Sequence, residues 1–191
     1  MSARCQLVRT ELGAASAERL GTLVALHGDG ADSSELVAIC SAAAPGFHLI
    51  APQAPRARNP FHSSAPPDDE RLRAYVGFSW FRTDDAGRPE PASFGDSLAQ
   101  LEALVRELAE RGGAPLYLLG RGSGATLALG AAQAFPELLA GVVALDGTRP
   151  EIPGWSERFP IPAELPLVEL GSFPALDLQG VLPWAQPRTR S

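Results

Sequence analysis

Short runs of aliphatic and β-branched residues recur along the chain, and helical or loop-forming segments separate them. Such near-continuous apolar runs predict strands that are buried on both faces of a sheet. They fall at residues 6–12, 22–26, 48–51, 116–119, 141–145 and 165–170. Because helical segments alternate with these strands, the pattern predicts a three-layer α/β sandwich around a mostly parallel sheet of about six strands.

Two helices stand out from the spacing of apolar and polar positions. Residues 33–44 follow a capping residue, Asp32 or Ser33. The clearest helix starts at a cap provided by Ser93 or Asp96 and ends near residue 111. One face of it is apolar at helical spacing, through Leu98, Leu101, Leu104, Val105 and Leu108.

The segments between these elements suggest one domain. Residues 52–74 are rich in Pro, Arg, Ser and Asp and predict a long loop, which in a compact domain is usually functional or mobile. There is no internal repeat. We therefore assign residues 1–171 to a single α/β domain and residues 172–191 to a proline-rich C-terminal tail.

Composition narrows the functional classes. The 191 residues carry a net charge of −6, which disfavours nucleic-acid binding because that needs a basic face. All 16 basic residues are arginines, so neither a Schiff-base lysine nor a phosphate-binding lysine is present. The N-terminus lacks the apolar segment of a signal peptide, and no apolar run approaches the ~18 residues of a membrane span. We expect a cytoplasmic protein without a membrane partner or a cofactor.

Residues 116–130, LYLLGRGSGATLALG, predict a strand that passes through a sharp turn into a helix at 124–135. Such a turn presents a nucleophilic serine in Gly-x-Ser-x-Gly motifs, where the flanking residues must be small. Here the glycines are Gly120, Gly122 and Gly124, and Ser123 is one position out of phase with them.

Four segments occur in an order that is typical of one family. They are LHGDG at 26–30, APQAP at 51–55, SWF at 79–81 and LLGRGSGA at 118–125. Together they resemble the phospholipase/carboxylesterase type of α/β-hydrolase, a group of small serine esterases and thioesterases. The resemblance implies that fold, and it places an oxyanion turn at residues 26–30 and the nucleophile turn at 118–125.

Two alignments of the nucleophile turn are possible. In the first, Gly120 and Gly124 flank the apex, and the nucleophile position is occupied by Gly122, which has no side chain to attack a carbonyl. In the second, Ser123 is the nucleophile, and Arg121 is one of the flanking residues that ought to be small. The first alignment predicts a protein without an acyl-enzyme step.

The remaining triad positions also depart from the family. The resemblance implies a catalytic histidine near the C-terminus, but the three histidines are His27, His48 and His62. His62, on the long loop, is the one placed to supply a base from a new direction. Asp146, after the strand at 141–145, is a candidate acid or a strand-end turn residue.

The resemblance also implies where an anion or a carbonyl oxygen would bind. Oxyanion donors are expected in the turn at Gly28 and Asp29 and at the backbone of Ser123, where a helix N-terminus adds positive potential. Arg121 is a further candidate for this anion site.

Three aromatic residues complete the expected pocket. His27 belongs to the oxyanion turn, and Trp80 and Phe81 either pack against the sheet or line a channel. Glu169, in the middle of the last predicted strand, indicates an exposed sheet edge, because an unpaired buried carboxylate is costly.

These observations favour a non-hydrolytic relative of carboxylesterases that binds a small acyl or anionic ligand. A protein partner, including a second copy in a homodimer, at the exposed sheet edge is the other expected role. The alternative is an active carboxylic-ester or thioester hydrolase that uses Ser123 with His62 and Asp146.

Overall fold

The computed structural model describes residues 7–13, 20–57, 77–113 and 115–171. Within them, six strands form one sheet in the order β1-β3-β2-β6-β7-β8, in which only β1 is antiparallel to its neighbour. The strands are β1 (Arg9–Leu12), β2 (Gly21–Leu26), β3 (Phe47–Pro52), β6 (Leu116–Arg121), β7 (Gly141–Leu145) and β8 (Leu167–Leu170). Two further short strands, β4 (Arg56–Ala57) and β5 (Phe78–Ser79), pair with each other. The predicted mostly parallel six-stranded sheet is confirmed.

Helices cover both faces of the sheet. They are α1 (Val37–Ala43), α2 (Pro91–Glu110), α3 (Ser123–Ala134) and the short α4 (Trp155–Arg158). Alternate residues of the strands face opposite layers: Val24 and Leu118 pack with α2 and α3, whereas Leu23 and Leu119 pack with α1. The result is the predicted three-layer sandwich.

The leucine face of α2 is buried as its spacing predicts, but both predicted helix starts are wrong. The side chain of Glu90, not Ser93 or Asp96, caps α2 by accepting the N–H groups of Ala92 and Ser93, and Pro91 opens the first turn. The first helix begins at Val37 instead of residue 33. Residues 33–36 form turns, because Asp32 Oδ1 accepts the N–H and the hydroxyl of Ser34.

The last strand, β8, lies at one edge of the sheet, and Glu169 is exposed there as expected. Its carboxylate pairs with Arg149 at 2.8 Å. Between β7 and β8 the sequence did not predict α4, whose Trp155 donates its indole N–H to Gln133 on α3 at 2.8 Å.

Of the two cysteines, Cys40 lies on the buried face of α1, and burial raises the pKa of its thiol to about 12. That thiol is therefore unreactive near neutral pH. Cys5 lies outside the described residues. Of the helices within the described ranges, none combines the length and the hydropathy that crossing a bilayer requires.

Candidate functional site

The candidate site lies where β2, β6 and β7 end. The chain leaves β2 for β3 on one side of the sheet, and it leaves β6 for β7 on the other side. The crevice between the carboxyl ends of the neighbouring strands β2 and β6 is therefore the topological switch point. Gly122 connects β6 to α3 with φ 53° and ψ −119°, a conformation that side chains disfavour. Its N–H donates to the carbonyl oxygen of Leu145 at 2.8 Å, which ties the turn to β7.

The glycines on either side of Gly122 determine which residue is at the apex. A Cβ on Gly120 would lie 2.3 Å from the carbonyl oxygen of Gly124, and a Cβ on Gly124 would lie 2.2 Å from that of Leu26. Neither position can accept a side chain without moving backbone. Gly120 and Gly124 are thus tightly constrained, as the first alignment requires of the residues that flank the apex.

The apex itself is open. A Cβ on Gly122 would meet only the Cα of Gly28, at an ordinary 3.9 Å. Space for a side chain therefore exists at the apex, but the chain supplies none.

Ser123, the rival nucleophile, is the first residue of α3 and borders the cleft. Its hydroxyl oxygen is buried and has no hydrogen-bond partner in the part of the chain that the structure describes. A serine is activated by a base within hydrogen-bond reach. The described residues provide no such base for Ser123.

His27 is part of the scaffold of the oxyanion turn. Its Nε2 accepts the N–H of Ala54 at 3.1 Å, so Nδ1 carries the proton and donates to the carbonyl of Gly28 at 2.7 Å. The ring is 1% exposed, and burial is the main cause that lowers the pKa of His27. A neutral imidazole with both nitrogens engaged cannot serve as a general base here.

The other candidate triad members are not brought together among the described residues. His48 lies near the start of β3, at the opposite end of the sheet from the cleft. Asp146 directly follows β7 and borders the cleft, with its backbone at φ 53°. His62 lies outside the described residues, so the base of the alternative triad stays a prediction.

Arg121 contacts a carboxylate that the sequence did not single out. Its Nη1 donates to Glu35 Oε1 at 2.6 Å, and Glu35 Oε2 accepts the N–H of Gly28 at 2.7 Å. Glu35 thus joins the oxyanion turn to the end of β6. Arg121 is not among the residues that border the cleft above the elbow, and its guanidinium is engaged by Glu35.

The two predicted pocket aromatics have different positions. Trp80 is completely buried and donates its indole N–H to the carbonyl of His27 at 2.9 Å, so it supports the oxyanion turn from inside. Phe81 borders the cleft while its ring packs against Phe94 with the ring centroids 5.3 Å apart.

The cleft above the elbow has a volume of about 800 Å³. One wall is formed by the elbow and the end of β7, and the other by residues that follow β3 and β5. The lining residues include Gly122, Ser123, Asp29, Phe81, Arg56, Arg82, Asp146 and Thr148. The two arginines on the second wall were not predicted, since no local pattern marks a loop residue that a fold brings to a cleft.

The first turn of α3 faces the cleft without a capping side chain, because its N-cap is Gly122. The first N–H groups of a helix have no intrahelical acceptor, and the helix dipole adds positive potential there. The turn can therefore accept a carbonyl or an anionic oxygen. No three histidine, cysteine, aspartate or glutamate side chains among the described residues lie close enough together to hold a metal ion.

Comparison with known proteins supports the fold. Residues 10–170 match the family described as phospholipase/carboxylesterase. A carboxylesterase from Mesorhizobium loti is 24% identical over 93% of each chain, with a TM-score of 0.64. Esterase PE8 is 23% identical over 94% of this chain and 83% of its own, with a TM-score of 0.66.

The carboxylesterase from Bacillus cereus is 12% identical over 96% of this chain and 95% of its own, with a TM-score of 0.68. At these identities the solved structures establish the shared fold and not the chemistry of the site. No curated protein matches the chain.

Proposed function

The chain belongs to the phospholipase/carboxylesterase family, and we propose from that premise that it binds a small acyl or anionic ligand in the family's cleft without hydrolysing it. The observation that carries the proposal is the apex of the elbow, where Gly122 has no atom that could attack a carbonyl. A covalent acyl-enzyme needs a nucleophile and a base that accepts its proton.

Two features support binding in the absence of that chemistry. The first turn of α3 offers backbone N–H groups to a carbonyl or an anion, and the missing side chain at Gly122 leaves room in front of them. The cleft volume of about 800 Å³ is within the range of small-molecule sites.

The proposal is tested with a fluorophosphonate probe and intact-mass measurement, together with p-nitrophenyl ester turnover. We expect no labelling of the parent protein. Positioning and oxyanion stabilisation alone leave about 10³–10⁴-fold acceleration over water, so any ester turnover should be no faster than this. The matched variants are Ser123→Ala and Ser156→Ala, the latter an exposed serine on α4.

Labelling that disappears in Ser123→Ala and persists in Ser156→Ala would identify Ser123 as a reactive nucleophile, as the alternative hydrolase with His62 and Asp146 requires, and would contradict the proposal. Binding is measured separately, by thermal shift with carboxylates and phosphates. Stabilisation by these probes, with no effect of Ser123→Ala on residual ester turnover, is the result that we expect.

A further inference from the structure

Four ionisable side chains border the cleft, and two of them are already held by neighbouring groups. Asp29 accepts a hydrogen bond from the hydroxyl of Ser79. Arg56 is held by a hydrogen bond to the backbone carbonyl of Trp80 at 2.6 Å and by Asp96 at 3.3 Å. The Asp96 carboxylate offsets the charge of Arg56, whereas the Ser79 hydroxyl engages Asp29 without neutralising it, so Asp29 also adds negative charge to the cleft.

Arg82 is the third of these side chains, on the segment that connects β5 to α2. Its backbone is fixed, because its N–H donates to Ser93 Oγ at 3.0 Å and its carbonyl accepts the N–H of Glu90 at 2.8 Å. The guanidinium is exposed and makes neither a hydrogen bond nor an ion pair with any residue within the described ranges. The pKa of Glu90 is lowered chiefly by its hydrogen bonds with Ser93, and the positive charge of Arg82 lowers it further at longer range.

Asp146 is the fourth, on the opposite wall. Its N–H donates to the carbonyl of Leu170 at 2.7 Å, so its backbone is also fixed. It is the one non-glycine residue with a positive φ among those that the structure describes. Its carboxylate is exposed beside the elbow and has no partner in residues 7–13, 20–57, 77–113 and 115–171.

Exposed charges of opposite sign that are not held in ion pairs discriminate between ligands when they border one cleft. A simple carboxylate is attracted by Arg82 and repelled by Asp146, and a simple amine experiences the reverse. A molecule that carries both charges gains from both walls. Phe81 and Pro89 border the same cleft and provide apolar surface for the carbon chain that separates the two charges.

We propose that the cleft binds a small zwitterion, with its anionic group against Arg82 and its ammonium group against Asp146. This inference rests on the proposed function, because it names the ligand class of the same cleft. It also assigns Asp146 a role in specificity that does not depend on any catalytic triad.

The test uses ω-amino acids of increasing chain length, from β-alanine to aminooctanoate. Each is compared with the alkanoate of the same length by calorimetric or NMR titration. Both side chains are exposed, so each contact should change affinity by about two- to fivefold. We expect one or two chain lengths to bind more tightly than their alkanoates, because hydrogen bonds hold the backbones of Arg82 and Asp146 in place.

Two variants separate the contributions. Asp146→Asn should abolish the preference for the amino acid and leave alkanoate binding equal or tighter. Arg82→Gln should weaken both ligands. The matched controls are Glu110→Gln and Arg158→Gln, exposed side chains outside the cleft, which should leave the preference unchanged.

Alkanoates that bind as tightly as the amino acids, or a preference that survives in Asp146→Asn, would overturn the inference and leave the proposed function standing. If neither class of ligand binds at any length, the inference is wrong, and the proposed binding function is wrong as well if no carboxylate or phosphate stabilises the protein.

Discussion

A Cβ atom on Gly120 would lie 2.3 Å from the carbonyl oxygen of Gly124, so these two glycines hold β6 against α3 on either side of Gly122. Backbone atoms rather than a mobile side chain fill the space. The two flanks are therefore steric requirements of the fold, while the apex between them has room.

This difference predicts an order of stability among three substitutions. Gly122→Ala should lower the free energy of unfolding by about 1–3 kcal/mol, the cost of a side chain in a sparsely populated backbone region. Gly120→Ala and Gly124→Ala should cost more than about 3 kcal/mol, because backbone must move to avoid the contact. Urea unfolding followed by circular dichroism measures all three. Equal costs for apex and flanks would contradict the assignment of Gly122 to the apex.

A second prediction concerns the carboxylate that joins the oxyanion turn to β6. Glu35→Ala removes the acceptor of the Gly28 N–H as well as the partner of Arg121, and we expect a loss of about 1–3 kcal/mol. Arg121→Gln leaves the Gly28 hydrogen bond in place, and its guanidinium is 40% exposed, so its loss should stay below about 1 kcal/mol.

Amide hydrogen exchange distinguishes this role of Glu35 from a general loss of stability. The Gly28 N–H should exchange faster in Glu35→Ala relative to neighbouring core amides, and it should remain protected in Arg121→Gln. Unchanged protection of Gly28 in Glu35→Ala would show that Glu35 does not fix the turn.

Much of the fold was predictable from sequence, because aliphatic strands buried on both faces depend on local composition. All six strands of the main sheet overlap the predicted runs, and Gly141–Leu145 has the predicted bounds. The start of α2 was missed although Pro91, at its first turn, was an available signal. Glu is an unusual N-cap, whereas Ser and Asp are favoured there, so the sequence pattern indicates Ser93 or Asp96.

The candidate site was predictable only where spacing along the chain determines geometry. The elbow at residues 120–124 follows from three glycines and one strand-to-helix turn. The pairing of Arg121 with Glu35 does not, because 86 positions separate the two residues and only the fold brings them together. Because sequence spacing does not show contacts between distant segments, it predicts Arg121 in the anion site. It gives no local signal that Arg82 borders the cleft.

The third prediction follows from the buried imidazole of His27, whose pKa is lowered chiefly by burial. In the window between the unfolded pKa of about 6.5 and the folded value, the unfolded chain binds a proton that the folded protein does not. The contribution of His27 to the free energy of unfolding should thus be fully present above pH 7. It should fall below about pH 6.5, by up to about 1.4 kcal/mol per pH unit. Urea titrations between about pH 7.5 and 5 measure this slope. The slope should vanish in His27→Gln. It should persist in the control His48→Gln, because the hydrogen bonds of His27 are intact there. A parent protein whose stability is constant across that range would contradict a neutral, structural His27.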